Sequence, residues 1–191
     1  IEAGQSIIFD VSIGIWYPLI VIPIAVVGAT TTFNFIAGYN GLEAGMGIIT
    51  LTGMGYACFH YQKIWLMMVC FIMVAALLGF LWFNKYPAKV FPGDSLTYAV
   101  GALCACIAIM ANIEKLAITF FALYGVETVL KLRGKLKKES FAKMEANGYL
   151  SLPYSSIYGL EHLVIKMIGP RATEKKVVYW LWIGQILMVI F

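Results

Sequence analysis

The sequence predicts an all-α fold, a polytopic bundle of transmembrane helices, and two observations lead to that prediction. Of 191 residues, 61% are hydrophobic and only 13% are charged, whereas an average soluble domain has about 25% charged residues. The apolar residues also form runs long enough to cross a bilayer, which takes roughly 20 residues. A soluble helical protein is disfavoured because so few polar residues could not cover its surface. We interpret residues 1–191 as the C-terminal part of one integral membrane domain.

About six spanning helices are predicted from the apolar runs. Pro18 and Pro23 in the first run predict a kink or a late helix start. The second run is rich in Gly and Thr, which favours close packing against other helices. The third has tryptophans near both ends, as is typical of a lipid-facing span. The six segments are about 14–35, 42–59, 63–83, 94–111, 114–131 and 177–191.

The longest connection, residues 132–176, is predicted to be a cytoplasmic loop. Within it, residues 158–168 place apolar side chains at helical spacing, with His162 and Lys166 on the edge. This pattern predicts an amphipathic helix at the membrane surface.

Successive spans must alternate in direction, which places the connections 36–41, 84–93 and 132–176 on one side. Only Lys63 and Lys115 fall on the other side, so the first side holds twelve of the 14 basic residues. Cytoplasmic loops carry such an excess of Lys and Arg. We therefore expect the first side to be cytoplasmic, at the plasma membrane of a prokaryote or the endoplasmic reticulum of a eukaryote.

Two polar motifs interrupt the apolar sequence on that side, TTTFNFIAGYNGLEAG (30–45) and FNKYPAKVFPGDSLTYAVG (83–101). Asp94 is either the N-cap of the next helix or a metal ligand at the membrane surface. Together with Asn34 it suits Mg²⁺, which uses few protein ligands and takes the rest from water and phosphate. The basic loop suits phosphate charge. These features predict a phosphate-bearing substrate at the cytoplasmic surface.

The cysteines and histidines do not indicate a further site. All four cysteines lie in apolar segments without metal-site spacing, which is typical of small buried side chains. His60 and His162 are isolated in the sequence and are assigned neither to a metal nor to proton transfer.

The stretches NFIAGYNGLEAG (34–45) and NKYPAKVFPGD (84–94) resemble the two signature motifs of the polyprenyl-phosphate sugar-1-phosphate transferase family. The nearer branch is the one that uses UDP-GlcNAc and dolichyl phosphate, and the order of segments and the ending KMIGPRATEKKVVYWLWIGQIL also fit it. The bacterial muramyl-pentapeptide branch has a DG-type sequence at NGLEAG and a histidine-rich loop, and this chain has neither.

The resemblance implies transfer of GlcNAc-1-phosphate from UDP-GlcNAc to a polyprenyl (dolichyl) phosphate, with release of UMP and with Mg²⁺ as cofactor. It implies no nucleic-acid partner beyond the nucleotide sugar, and it allows a homodimer. Glu43 is either a first-turn residue favoured by the helix dipole or a group that orients the site, with the structural role favoured. The residues assigned by resemblance are Asn34 and Asp94 for the metal, Asp94 and Arg133 for catalysis, Asn40 for the uracil, Phe91 and Gly38 for its two faces, and Lys89 for a headgroup or phosphate, or as a cytoplasmic anchor. Arg133 is alternatively an ordinary positive charge of a cytoplasmic loop.

Some features depart from the family pattern. Thr31 stands where the motif often begins with asparagine, Pro92 replaces a small apolar residue, and no Asp-Asp pair occurs in the chain. The family has an aspartate-rich motif in its N-terminal half, so we expect these 191 residues alone not to catalyse the reaction. Three alternatives stay open: a transporter with broken helices around a cavity, a non-catalytic membrane relative or scaffold, and the same reaction with another UDP-sugar.

Overall fold

The computed structural model describes residues 5–6, 11–12 and 14–190, with side chains for residues 14–190. The described chain is mainly helical, which confirms the all-α prediction. Two hairpins of two-residue strands accompany the helices, β1 with β2 and β3 with β4. The elements in order are β1 Gln5–Ser6, β2 Val11–Ser12, a π-helical turn Tyr17–Val21, α1 Ile22–Phe35, α2 Leu42–His60, α3 Ile64–Asn84, α4 Gly93–Ala111, α5 Glu114–Phe120, α6 Ala122–Arg133, β3 Lys143–Met144, β4 Leu150–Ser151, α7 Leu160–Ile168, a 3₁₀ turn Gly169–Arg171 and α8 Glu174–Ile190.

Each of the six predicted segments coincides with helix, but only some are long and apolar enough to cross a bilayer. By length and composition these are Tyr17–Phe35, Ile64–Asn84 and Gly93–Ala111, among the described residues. The segment 114–131 is interrupted at Phe121 and forms two helices. Six spans therefore stay a prediction, and Phe191 lies outside the described residues.

The ends of the first and last segments depend on local chemistry. Pro18 and Pro23 occupy the second positions of the π-helical turn and of α1, and the α-helix begins only at Ile22. Of the two predicted outcomes, a kink or a late helix start, the late start is observed. The last helix starts at Glu174, three residues before the predicted 177. An acidic residue in the first turn is favoured by the positive end of the helix dipole, and Glu174 therefore belongs to a helix rather than to the loop.

Helix α2 lies at the centre of the bundle, where it packs against α3, α4 and α8. Glycines allow this close approach. A Cβ atom added at Gly45 would lie 2.0 Å from the Trp182 ring, and one at Gly53 would lie 2.4 Å from Val189. The prediction of close helix packing for this segment is confirmed, whereas Trp65 and Trp82 at the two ends of α3 are exposed.

A second glycine contact joins α1 to α4. A Cβ at Gly101 would lie 2.7 Å from the carbonyl oxygen of Ala29 and from the Cα of Thr30. Small residues at such a crossing let two backbones meet. The crossing matters for the site because α1 ends just after Asn34 and α4 begins just before Asp94.

The connections gather at the two ends of the bundle as the alternation of direction predicts. At the start of the first helical segment, Tyr17 donates a hydrogen bond to Glu114 at 2.9 Å, and a cavity of about 590 Å³ is lined by parts of 61–63 and 111–119. The connections after α1 and after α3 meet at the other end. Helices α2 and α4, which join the two ends, have 19 residues each, so at 1.5 Å per residue the ends are about 28 Å apart. Which end faces the cytoplasm stays a prediction.

The loop 132–176 contains the predicted helix, α7, but its polar residues lie differently from the prediction. Leu160, Val164 and Ile165 are buried and Lys166 is exposed. His162, predicted on the edge, is fully buried. The predicted edge position of His162 is wrong because α7 packs against both α6 and α8. Two neighbouring helices bury a wider face of α7 than its apolar stripe alone.

Candidate functional site

A cleft of about 250 Å³ lies at the end of the bundle where α1 ends and α4 begins. Five of the seven residues assigned by resemblance line it: Asn34, Gly38, Asn40, Phe91 and Asp94. They come from the end of α1, the α1–α2 turn (residues 36–41), the α3–α4 turn (residues 85–92) and the start of α4. Among the described residues, Lys89 and Arg133 are exposed and lie outside this lining.

Asp94 lies in the first turn of α4, and the N-cap interpretation is wrong. The helix begins one residue earlier, at Gly93, whose φ of +58° suits glycine, and Pro92 is the N-cap residue. The carboxylate makes no capping hydrogen bond within the described chain. Instead its Oδ1 accepts a hydrogen bond from the amide of Asn34 at 3.4 Å. The two residues paired by the sequence argument are therefore adjacent.

The Asn34–Asp94 pair fits a magnesium ion but does not form a closed metal cage. In residues 14–190, no group of three or more His, Cys, Asp or Glu side chains is arranged to hold a metal. The pair instead offers one carboxylate and one amide at the cleft, and half a turn of the amide would present its oxygen. Mg²⁺ is commonly bound through one or two protein groups, with water and phosphate supplying the rest.

The α1–α2 turn is held by contacts from several parts of the chain. The backbone N–H of Gly38 donates to Glu43 Oε1 at 3.0 Å, and that of Asn40 donates to Glu174 Oε1 at 2.7 Å. Gly41, with a φ of +83°, ends the turn as the N-cap of α2. Glu43 is in the first turn of α2, as the structural interpretation expected, and it also orients the turn.

Tyr39 connects this turn to the loop. Its hydroxyl accepts a hydrogen bond from the N–H of Ala142 at 3.0 Å. Burial raises the pKa of Tyr39 to about 12, and the nearby carboxylates of Glu161 and Glu174 act in the same direction, against the Ala142 hydrogen bond. The phenol therefore stays neutral at physiological pH.

The α3–α4 turn presents Phe91 at the cleft. Phe91 is 72% exposed, so its ring is free to stack on a ligand. The turn is held from below by Asn84, which is fully buried and donates its amide to the carbonyl of Val90 at 2.8 Å. Sequence reasoning gave Asn84 no role. An asparagine at the end of an otherwise apolar run was the available signal.

A third wall of the cleft comes from residues 140–142 of the loop. Phe141 lines the cleft and packs its ring against that of Tyr39, with 6.4 Å between ring centroids. Ser140 approaches Gly38 on the same side and is hydrogen-bonded to Lys131. Sequence reasoning missed this wall because no motif marks residues 140–142.

Behind this wall lie two buried carboxyl groups. Glu127 and Glu161 are fully buried and both approach Gly159. Glu127 accepts a hydrogen bond from the N–H of Leu160 and lies 3.6 Å from Lys131. Burial, and then the neighbouring Glu127, raise the pKa of Glu161 well above its usual range. At a pH between the ordinary pKa of 4.5 and the raised value, the folded protein therefore holds a proton on Glu161 that the unfolded chain would release.

Comparison with known proteins identifies the family. The sequence profile of glycosyl transferase family 4 matches residues 2–112, a span that includes both motifs and most of the cleft. The chain belongs to glycosyl transferase family 4. The resemblance read from the two motifs is thereby confirmed.

Relatives within the family extend the match beyond residue 112. A Saccharolobus solfataricus protein, provisionally named as a UDP-N-acetylglucosamine–dolichyl-phosphate N-acetylglucosaminephosphotransferase, is 38% identical over 95% of this chain and 58% of its own length. A Sulfolobus acidocaldarius protein with the same provisional name is 34% identical over 94% of this chain and 55% of its own. A Listeria monocytogenes phospho-N-acetylmuramoyl-pentapeptide-transferase is 34% identical over 62% of this chain and 36% of its own. The chain spans little more than half the length of the first two relatives.

Proposed function

We propose that the protein encoded by the complete gene transfers GlcNAc-1-phosphate from UDP-GlcNAc to a polyprenyl phosphate of the dolichyl type and releases UMP. The observation that carries the proposal is that both family motifs supply side chains to one cleft, Asn34 and Asn40 from the first and Phe91 and Asp94 from the second. The names of the two archaeal relatives support the choice of donor and acceptor.

The uracil of the donor binds at the end of the cleft formed by the two turns. The ring lies between Phe91 and the backbone of Gly38, and Asn40 hydrogen-bonds its polar edge. Two features support this placement. Phe91 is exposed at the cleft, and an aromatic face gains energy by stacking on a flat ring. Gly38 has no side chain to keep a base away from its peptide groups.

The diphosphate binds at the Asn34–Asp94 end. In the reaction, an oxygen of the lipid phosphate attacks the β-phosphorus. The new P–O bond forms as the bond from that phosphorus to the bridging oxygen breaks, and UMP leaves with the oxygen. Asn34 and Asp94, which lie together at this end of the cleft, are the residues that would hold Mg²⁺ beside the diphosphate. When bound, the ion would offset the charge on the diphosphate and on the departing UMP.

Arg133 and Lys89, which are exposed and lie outside the cleft lining, support binding from outside the cleft in this proposal. Arg133 adds positive charge for the phosphates, although its place in the last turn of α6 is also explained by the negative end of the helix dipole. Lys89 contacts the lipid headgroup or anchors the α3–α4 turn at the membrane. The cleft faces the cytoplasm, and the presence of twelve of the 14 basic residues on its side of the membrane supports this orientation. The isoprenoid chain of the acceptor stays in the bilayer while its phosphate enters the cleft.

The test uses membranes that contain the protein expressed from its complete gene, with labelled UDP-GlcNAc, polyprenyl phosphate and Mg²⁺. Wild type should form labelled lipid only when Mg²⁺ is present. Asp94→Asn should lower the rate by about 100-fold or more, since it removes the charged group at the diphosphate. Glu114→Gln is the matched control, because Glu114 is also a first-turn acid but lies at the opposite end of the bundle.

A folded wild-type protein that forms no labelled lipid with any donor would overturn the proposal and favour a transporter or a non-catalytic relative. The donor itself needs a panel of UDP-sugars, because the match to the Listeria muramoyl-pentapeptide transferase favours a second candidate, the same reaction with another UDP-sugar. Labelled lipid from UDP-N-acetylmuramoyl-pentapeptide but not from UDP-GlcNAc would select that candidate.

A further inference from the structure

The start of α8 contacts both turns that form the nucleoside end of the cleft, the end at which the uracil is proposed to bind. Glu174 accepts the hydrogen bond from the backbone N–H of Asn40, in the α1–α2 turn, at 2.7 Å. The next residue, Lys175, places its Nζ 5.0 Å from the centre of the Tyr86 ring, in the α3–α4 turn. Two consecutive residues from far along the chain thus touch the two turns whose spacing sets the width of the cleft.

The Glu174 carboxylate is directed at the turn rather than at a neighbouring cation. Within the described chain no ion pair of Glu174 within 4.0 Å is found. Of its basic neighbours, Lys176 donates to the carbonyl of Arg171, and Lys175 lies over Tyr86. A carboxylate that accepts a backbone N–H at 2.7 Å forms a charge-assisted hydrogen bond, which is stronger than a neutral one.

The hydrogen bond acts on the residue proposed to recognise uracil. Asn40 lines the cleft, and its backbone fixes where its side chain starts. The rest of the turn is held at Gly38 by Glu43 and at Tyr39 by Ala142. Without Glu174, the N–H of Asn40 would lose its partner while the preceding two residues stayed fixed, so the freedom gained would be local to Asn40.

We propose that Glu174 is a positioning residue for the nucleotide: its carboxylate fixes Asn40 and, together with Lys175 on Tyr86, sets the gap in which a uridine nucleotide binds. This inference rests on the proposed function, since it assumes that Asn40 and Phe91 bind the nucleoside. It differs from the other explanation of a first-turn acid, which is stabilisation of α8 by the helix dipole.

Three substitutions of Glu174 separate the two explanations. Glu174→Gln keeps the length and the acceptor oxygen but loses the charge. Glu174→Asp keeps the charge but is one methylene too short to reach Asn40. Positioning predicts that Gln is tolerated and that Asp and Ala are both harmful, whereas a helix-dipole role predicts that Asp is tolerated and that Gln and Ala are both harmful.

The readouts are the Kd for UMP and the kinetic constants for UDP-GlcNAc, measured on the purified protein from the complete gene. Glu174→Asp and Glu174→Ala should raise Kd and KM roughly tenfold, with kcat changed less than about threefold, because the loss of one charge-assisted hydrogen bond is felt in binding. Glu174→Gln should stay within about threefold of wild type. Glu114→Ala, a first-turn acid hydrogen-bonded at the opposite end, is the control and should leave Kd unchanged.

The outcomes distinguish this inference from the proposed function. If wild type binds UMP and Asn40→Ala does not, but Glu174→Asp binds it normally, the positioning role is overturned and the proposed function stands. If wild type binds no uridine nucleotide, both are overturned. If Glu174→Ala does not fold, the order of the Gln and Asp variants decides, and an order in which Asp is better than Gln overturns the inference.

Discussion

The crossing of α1 and α4 at Gly101 offers a direct test of how packing positions the cleft. In Gly101→Ala, the new Cβ would lie 2.7 Å from the carbonyl oxygen of Ala29 and from the Cα of Thr30. Both atoms belong to the backbone, so no side-chain rotation can relieve the contact. The two helices have to move apart.

The size of the effect follows from the distances. Ordinary van der Waals contact begins at 3.4 Å, so the helices must separate by about 0.7 Å at Gly101. Overpacking of this kind costs typically about 1–3 kcal/mol, and the better helix propensity of alanine offsets about 1 kcal/mol of it. We expect a net loss of about 1 kcal/mol in the free energy of unfolding.

The effect on activity should exceed the effect on stability. Thr30 lies one helical turn before Asn34, and Gly101 lies two turns after Asp94, so a separation of the helices changes the 3.4 Å approach of that pair. A misplacement of about 1 Å at a reacting centre can cost 100-fold in rate. We expect at least about tenfold from the smaller shift here.

The assays are thermal unfolding in detergent and the proposed Mg²⁺-dependent transfer to polyprenyl phosphate, both on the protein from the complete gene. Gly79→Ala is the matched control, because Gly79 is an exposed helical glycine and none of the described atoms lies within 4 Å of a Cβ added there. If Gly101→Ala equalled Gly79→Ala in both stability and rate, α1 and α4 would not cross as closely as described, and the reasoning would be wrong.

Two further predictions concern buried polar groups. Because the folded-state pKa of Glu161 is raised, its stabilising contribution is complete below its ordinary pKa of 4.5 and is lost as the pH rises towards the raised value. Glu161→Gln should therefore flatten the decline of the melting temperature as the pH rises above 4.5. Burial lowers the pKa of His162, so below its ordinary pKa this residue makes the stability rise with pH, in both wild type and Glu161→Gln. An equal decline of the melting temperature in the two proteins would contradict the raised pKa of Glu161. Asn84→Leu removes the hydrogen bond to Val90 and should cost about 1–2 kcal/mol of stability. It should also weaken UMP binding, because it releases the turn that carries Phe91. Unchanged UMP affinity would show that Phe91 is held in place without the Asn84 hydrogen bond.

The helices and the convergence of the two motifs could be predicted from the sequence for simple reasons. Apolar runs bounded by Pro, Gly and Asn mark helices wherever burial dominates. Alternating helix directions place every second connection at the same end, so Asn34 and Asp94 could be brought together without any knowledge of distances. The 3.4 Å approach of the pair agrees with that argument.

The parts that could not be predicted depend on contacts between distant segments. Glu174 lies 134 positions after Asn40, and no periodicity links them. Phe141 follows a run of charged residues that reads as solvated loop. His162 was predicted at an edge because a single helix has one apolar stripe, but two neighbouring helices bury it. The N-cap prediction for Asp94 was wrong because Gly93 adopts a positive φ and begins the helix one residue earlier.

The cleft is supported at its two ends by different means, and this difference assigns each support to a step of the proposed reaction. The phosphate end depends on a backbone crossing, since Asn34 and Asp94 are carried by helices that meet at Gly101. The nucleoside end depends on hydrogen bonds, since the turn that carries Asn40 is held by Glu43 and Glu174. Interactions that bind ground state and transition state equally affect KM, whereas those at the reacting phosphorus affect kcat. Loosening the crossing should therefore act mainly on kcat, and loosening the turn mainly on KM.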